Sequence, residues 1–374
     1  MSAWRATTLD HLVRLQRGHD LPSSTRRNGS VPVVGAAGPS GFHDTALVRA
    51  PGVVVGRAGA SMGKATYCEV DFWPLNTALY VTDFLGNDPR FVYYLLGQID
   101  FSGYNSGAAQ PMLNRNYIKN IPIKLPERQE QESISALLGS LDDKIAVNNR
   151  IVAKLQELGD AFYGQAVSGI APGEESFAST ANVFGGGTPR TSEPMYWDGD
   201  IMWTTPSDVT ALQAPYLFDT KRKITSAGLE SCASRLYPAG SIFMTSRATI
   251  GSFAVPQRPA AVNQGFIVVI PQNPALCWWL FHEMRSRVDE MLSLANGSTF
   301  LELSRKTFKA MSVRLASPEV VAEFDAKARA LHRRAAHSAQ ETQTLTELRD
   351  ALLPKLLSGE VKVRQAEKVV EAAI

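Results

Sequence analysis

The chain has 374 residues, 44% of them hydrophobic and 20% charged, with 38 Lys/Arg against 36 Asp/Glu. That length suggests two or three domains with substantial cores, and the composition is that of an ordinary soluble protein. Near-balanced charge permits nucleic-acid binding without demanding it. No Cys-x-x-Cys pair joins Cys68, Cys232 and Cys277 into a zinc site or disulfide framework, and no apolar run is long enough to span a membrane.

Residues 1–126 read as a turn-rich mixed head with 12 Lys/Arg against 8 Asp/Glu. The N-terminus lacks the charged-then-apolar signature of a secretion signal, so the cytoplasm is the expected compartment. Gly52-Val-Val-Val-Gly-Arg57 reads as a strand entering a glycine-containing turn that runs to Gly63 and Lys64. Such a turn would expose Arg57 beside backbone N–H groups, which suits phosphate oxygens or a guanine edge. A polar turn at Ser106-Gly107 leads to a short basic segment, Asn114-Arg115-Asn116-Tyr117-Ile118-Lys119.

Residues 127–170 read as one long helix. It follows Leu125-Pro126, opens on an acid-rich first turn, and carries 7 Asp/Glu against 4 Lys/Arg. Leu138, Leu141, Ile145, Asn148, Val152, Leu155, Gly159 and Phe162 fall at alternating spacings of three and four, a heptad seam widened by Leu137, Ile151 and Leu158. Gly169 is placed to cap its end in the left-handed conformation.

Residues 171–316 read as a second head with balanced charge, 13 Lys/Arg against 12 Asp/Glu. Gly185-Gly-Gly-Thr188-Pro189-Arg190 is flexible and polar but lacks the Gly-Lys-Ser/Thr ending of a P-loop. Gly240-Ser-Ile-Phe-Met-Thr-Ser-Arg247 repeats the strand-then-arginine pattern and ends at Gly251, and Asn296-Gly297 leads to Ser304-Arg305-Lys306 as Ser106-Gly107 leads to Asn114-Arg115. The tryptophans are expected mainly in cores. Residues 317–374 open on Ser317-Pro318-Glu319, a cap followed by proline at the first helical position. The second seam, shifted by about 190 residues, runs Ala328, Leu331, Ala335, Ser338, Thr342, Leu345, Arg349, Leu352. Gly164 and Pro354 occupy one matched site, where both helices are expected to bend.

The second half therefore repeats the first, as two whole units rather than a solenoid. The expected fold is α+β: two similar mixed α/β heads separated by two long helices packed as an antiparallel coiled coil, in a pseudo-two-fold tandem repeat. Asn148 is expected near its counterpart Ser338, a polar pair that fixes register. No dinucleotide or S-adenosylmethionine fingerprint, adenine-methylation motif, paired-carboxylate nuclease signature or metal-spaced histidine cluster appears, so the chain reads as a binder. A coiled-coil scaffold with heads that do not bind DNA is the competing reading.

Several motifs together resemble the specificity subunit of type I restriction–modification systems. They are Ile121-Pro-Ile-Lys-Leu-Pro126 with Gln129-Glu-Gln-Glu-Ser-Ile134 and Leu141-Asp-Asp-Lys-Ile145; Gly187-Thr188-Pro189 with Tyr196-Trp197 and Trp203; Gly240-Ser-Ile; Asn263-Gln264-Gly265; and Leu352-Leu-Pro-Lys-Leu-Leu-Ser-Gly-Glu360. The first head departs from the pattern, with Gly18 near Leu21-Pro22 as a partial echo and Asn76-Thr77-Ala78 in place of Asn-Gln-Gly. The resemblance implies target recognition domains at 1–126 and 171–316 and helical spacers at 127–170 and 317–374. It implies double-stranded DNA and two methyltransferase subunits as partners, with room for a motor–nuclease subunit. No cofactor is expected in this chain; S-adenosylmethionine would sit in the methyltransferase. On this reading Arg57, Ser61, Lys64, Asn114, Arg115, Lys119, Thr188, Arg190, Arg247, Thr249, Ser298, Thr299, Arg305 and Lys306 would face DNA. Leu141, Ile145, Leu155, Phe162, Leu345, Leu352 and Leu356 would dock partners.

Overall fold

The computed structural model describes residues 4–107, 111–297 and 301–373. Contacts divide the chain into two units, Met1–Ile145 with Thr344–Ile374, and Ala146–Gln343.

The first unit contains strands β1 (Arg5–Thr8), β2 (Arg14–Arg17), β3 (Val31–Gly35), β4 (Gly38–His43), β5 (Gly52–Gly56), β6 (Ala65–Cys68), β7 (Trp73–Pro74), β8 (Ala78–Asp83) and β9 (Pro122–Leu125). Its helices are α1 (Pro89–Gln98), α2 (Arg115–Ile118) and the start of α3 (Arg128–Ala166). The sheets are ordered β2-β8-β5-β6 and β4-β3-β7, and β1 pairs with β9. The valine run of β5 is buried on both faces, Val53 and Val55 against Phe91 and Val92 of α1 and Val54 against Val34 and Phe72, which is why it reads as continuous rather than alternating. Asp88 caps α1 by accepting from the Phe91 N–H at 2.9 Å, with Pro89 at the first helical position.

The second unit contains α4 (Phe177–Thr180), β10 (Ala181–Phe184), β11 (Trp197–Thr204), α5 (Pro206–Thr210), β12 (Tyr216–Leu217), β13 (Lys223–Ile224) and α6 (Ser226–Glu230). It continues through β14 (Ile242–Thr245), β15 (Phe253–Pro256), β16 (Ala260–Val262), β17 (Phe266–Pro271), α7 (Cys277–Ser286), α8 (Val288–Ser293), α9 (Arg305–Ala310) and α10 (Pro318–Ser358). The last helix, α11 (Val363–Ala373), belongs to the first unit. The second unit's sheets are ordered β10-β17-β14-β15-β12 and β13-β11-β16.

The unit boundary cuts α3 and α10 mid-length, so each unit owns one half of each helix. Within both units the halves run antiparallel. In the second, Asn148 reaches Glu341, Val152 packs with Ala335, and Tyr163 meets Phe324. In the first, Asp142 bonds Arg349 while Leu138 shares a core with Leu352 and Leu356. Asn148 and Ser338 are both fully buried, and the Asn148 amide donates to Glu341 at 2.8 Å, three residues beyond Ser338. Gly169 and Gly359 both take positive φ, 76° and 74°, at matched helix ends. The helices continue through Gly164 and Pro354.

The seam departs from the expected heptads where the second head packs on it. Tyr163, not Phe162, and His332, not Leu331, are buried. Buried residues recur every four here, at Gly159, Tyr163 and Val167 and at Phe324, Ala328 and His332, a local break in the heptad of the kind that offsets a drift of about 20° per heptad. Both replacements are polar-tipped and find partners. The Tyr163 hydroxyl donates to Glu283, a fully buried carboxylate that also takes Arg287 Nη1 at 2.8 Å and Arg314 Nη2 at 2.8 Å. His332 Nδ1 bonds the Tyr216 hydroxyl at 2.9 Å, its Nε2 meets His282 Nε2 at 2.9 Å, and His282 Nδ1 meets Asp160 at 2.7 Å. The first unit uses smaller versions of such a junction. Tyr94 donates to Asp142 at 2.5 Å, and Arg90 grips Asp143 at 2.6 Å.

Candidate nucleic-acid interface

Each head brings three loops together. In the first, Gly18 crosses the backbone of Leu75 so closely that a Cβ would lie 2.2 Å from the Leu75 oxygen. Asn76 N–H then bonds His19 O at 3.0 Å, and the Asn76 side chain donates to Asp20. The arginine turn abuts this crossing, with Arg57 N–H donating to Thr77 O at 2.9 Å. The third loop closes on the turn through Leu113 N–H to Arg57 O at 2.8 Å.

The second head repeats the arrangement. A Cβ on Gly186 would lie 2.0 Å from Val262 O, and Gly187 N–H bonds that same oxygen at 3.1 Å. The Thr188 hydroxyl donates to Gln264 Oε1 at 2.5 Å. Indole N–H groups fix this loop from beneath, Trp203 to Gly187 O at 3.1 Å and Trp197 to Arg190 O at 3.2 Å. Arg222 stacks 3.5 Å over the Trp197 ring. The arginine turn follows, with Ser246 N–H bonding Gly265 O at 2.8 Å and Leu303 N–H bonding Ser246 O at 2.9 Å.

The arginines are less free than a bare turn implies. Arg57 is half-buried, its guanidinium donating to Asn76 O at 3.4 Å and Met112 Sδ at 3.2 Å. Burial, and then the nearby Arg17 charge, hold its pKa below the usual arginine value. Arg247 is ion-paired with Glu302 at 2.9 Å, each side chain 45% exposed. Third-loop groups thus engage both arginines, Met112 beside Arg57 and Glu302 beside Arg247, and Arg247 stays exposed as expected while Arg57 does not. Lys64 reaches back to Ala37 O at 3.0 Å, and Ser61 lies half-buried in the turn. Asn114 and Ser304 cap α2 and α9, accepting from the Asn116 and Thr307 N–H groups. Arg115, Lys119, Arg190, Thr249, Arg305 and Lys306 are exposed, as is Thr188. Ser298 and Thr299 lie outside the described residues.

Residues 1–157 and 179–320 match the family model described as Type I restriction modification DNA specificity domain. The chain belongs to that family. Among similar proteins, the type I restriction enzyme MjaIX specificity subunit of Methanocaldococcus jannaschii is 36% identical over 139 residues, which is 37% of this chain and 32% of the relative. The type I restriction enzyme HindI specificity subunit of Haemophilus influenzae is 23% identical over 355 residues, 73% of this chain and 77% of the relative. The chain thus spans about a third of the first relative's length and about three quarters of the second's. The solved type I restriction–modification S subunit of M. genitalium superposes with a TM-score of 0.70 at 17% identity, covering 95% of this chain and 96% of that one, which shows a shared fold.

Several side chains at these loops carry little or no local sequence signal. Asp20 and Gln264 lie at the glycine crossings, and Arg235 lies 4.7 Å over the Phe184 ring. Of these, only Gln264 carried a signal, through the Asn-Gln-Gly motif. Of the expected docking leucines, Leu141, Leu345, Leu352 and Leu356 are buried within the chain itself, so they build the seam rather than an outer surface. Ile145, Leu155 and Phe162 are half-buried. Among the described residues no cluster of three metal-capable side chains occurs and no helix is long and apolar enough to cross a membrane.

Proposed function

We infer that this chain is the non-catalytic sequence-reading subunit of a type I restriction–modification complex, reading a split, asymmetric DNA target with one half-site per head. One observation carries the reading. The same three-loop interface recurs in both heads, while the side chains at its crossing differ, Asp20 with Asn76 in one and Thr188 with Gln264 in the other. A shared frame docks alike, and different side chains on it read different bases. Two methyltransferase subunits would dock on the outer faces of α3 and α10, where Val147, Leu158 and Val320 stand exposed. Those subunits would supply the S-adenosylmethionine site and the adenine chemistry, and a motor–nuclease subunit would add cleavage. The test is co-expression with the cognate methyltransferase followed by mapping of modified adenines. A split asymmetric site is expected, and a continuous or perfectly palindromic site overturns the reading. The purified chain alone should transfer no methyl groups.

A further inference from the structure

The two short helices α2 and α9 stand at matched places and are seated identically. Each is anchored by one fully buried side chain, Ile118 or Phe308, and capped by Asn114 or Ser304. Their outward faces carry the same cations at the same positions, Arg115 with Lys119 and Arg305 with Lys309. All four are exposed, and none forms an ion pair among the described residues. Other arginines of the same heads are spent on carboxylates, Arg27 on Asp44 at 2.5 Å and Arg287 on Glu290 at 2.7 Å. In the first head the helix faces an open cleft of about 400 Å³, where Arg14, Arg115 and Lys119 outnumber one acid, Asp10, whose carboxylate accepts from the Thr8 hydroxyl at 2.6 Å. Arg14 is held there by its Nη1 donation to Asp10 O at 2.6 Å.

The geometry points to these helices as backbone clamps: each places one arginine and one lysine against DNA phosphates, and Arg14 adds a third cation in the first head. The assignment rests on the DNA-reading function proposed above and divides its labour. A group that reads bases must differ between heads that read different half-sites, as the crossing pairs do. Arg115/Arg305 and Lys119/Lys309 do not differ, so they suit the part of DNA that is the same everywhere. Lysine is a compact point charge without the fork that matches a base edge, which again favours phosphate.

The experiment uses the reconstituted complex with the double variants Arg115→Gln/Lys119→Gln and Arg305→Gln/Lys309→Gln. Binding to target and to unrelated duplex is measured between 50 and 200 mM salt. Each double variant should weaken binding to both duplexes by the same factor and lower the log–log salt slope by about 2. It should therefore lose about ten-fold less affinity than the parent across that salt range. The mapped methylation sequence should stay the same, and the charge-keeping pair Arg115→Lys/Lys119→Arg should restore the slope. An unchanged slope, a loss confined to the target duplex, or a changed methylation sequence would overturn the clamp. Failure of the parent complex to recognise a split site would instead overturn the functional reading.

Discussion

Acid should loosen the second unit through one imidazole. His332 is 3% exposed, stacked 3.5 Å from Trp278 and bonded to Tyr216 and His282. Burial first, then the neighbouring His282 and Arg285 charges, push its pKa down to about 2, against an opposing pull from Asp160. The folded state therefore keeps it neutral, whereas the unfolded chain takes up a proton below about pH 6.5. Its contribution is present above that pH and is lost as pH falls towards the folded value. Between pH 7 and pH 5 this single group should cost about 2 kcal/mol of stability. Urea unfolding followed by tryptophan fluorescence at the two pH values measures the loss. His332→Phe should be less stable at pH 7, because it strands the Tyr216 hydroxyl and His282 Nε2, yet should lose about 2 kcal/mol less than the parent on acidification. An equal acid loss in parent and variant would refute the argument.

Glu283→Ala should destabilise the second unit by about 3–5 kcal/mol in the same assay, because it leaves Arg287 and Arg314 facing an empty buried site. Ala335→Leu should cost about 1–3 kcal/mol by overfilling the contact with Val152, read as a lowered thermal midpoint. Arg247→Ala in the reconstituted complex should weaken target binding, by about 1–3 kcal/mol with relaxed methylation at one base if the arginine reads guanine. Unchanged binding and methylation would leave the Arg247–Glu302 pair a structural strut.

The repeat, both helix ends and most of the seam were legible in the sequence because they rest on local rules: spacing, caps and left-handed glycines. Trp279, Trp203 and Trp197 are buried as expected. The glycine crossing of the first head was only an echo, because Gly18 and Arg57 lie closer together than Gly186 and Arg247, so one offset cannot align both. Tyr163 and His332 were missed for a different reason. Their burial depends on Glu283, His282 and Tyr216, contributed from elsewhere in the fold. The ion pair that occupies Arg247 was invisible for the same reason, since no local pattern links it to Glu302.

The division of the chain also sets an order of events at the ribosome. The second unit is one continuous stretch, Ala146–Gln343, that is complete before Thr344 is made. The first unit is assembled from segments on either side of the second in sequence, and Leu352, Leu356, Leu357 and Ala366 fill the same core as Leu9, Phe91 and Leu138. The part made first is therefore completed last. Nascent chains generally fold from the N-terminal side as they emerge; here the early segment must wait, its apolar surface uncovered, until residues 344–373 have been made. A stop codon after Gln343 would spare the later-made unit and strand the earlier one.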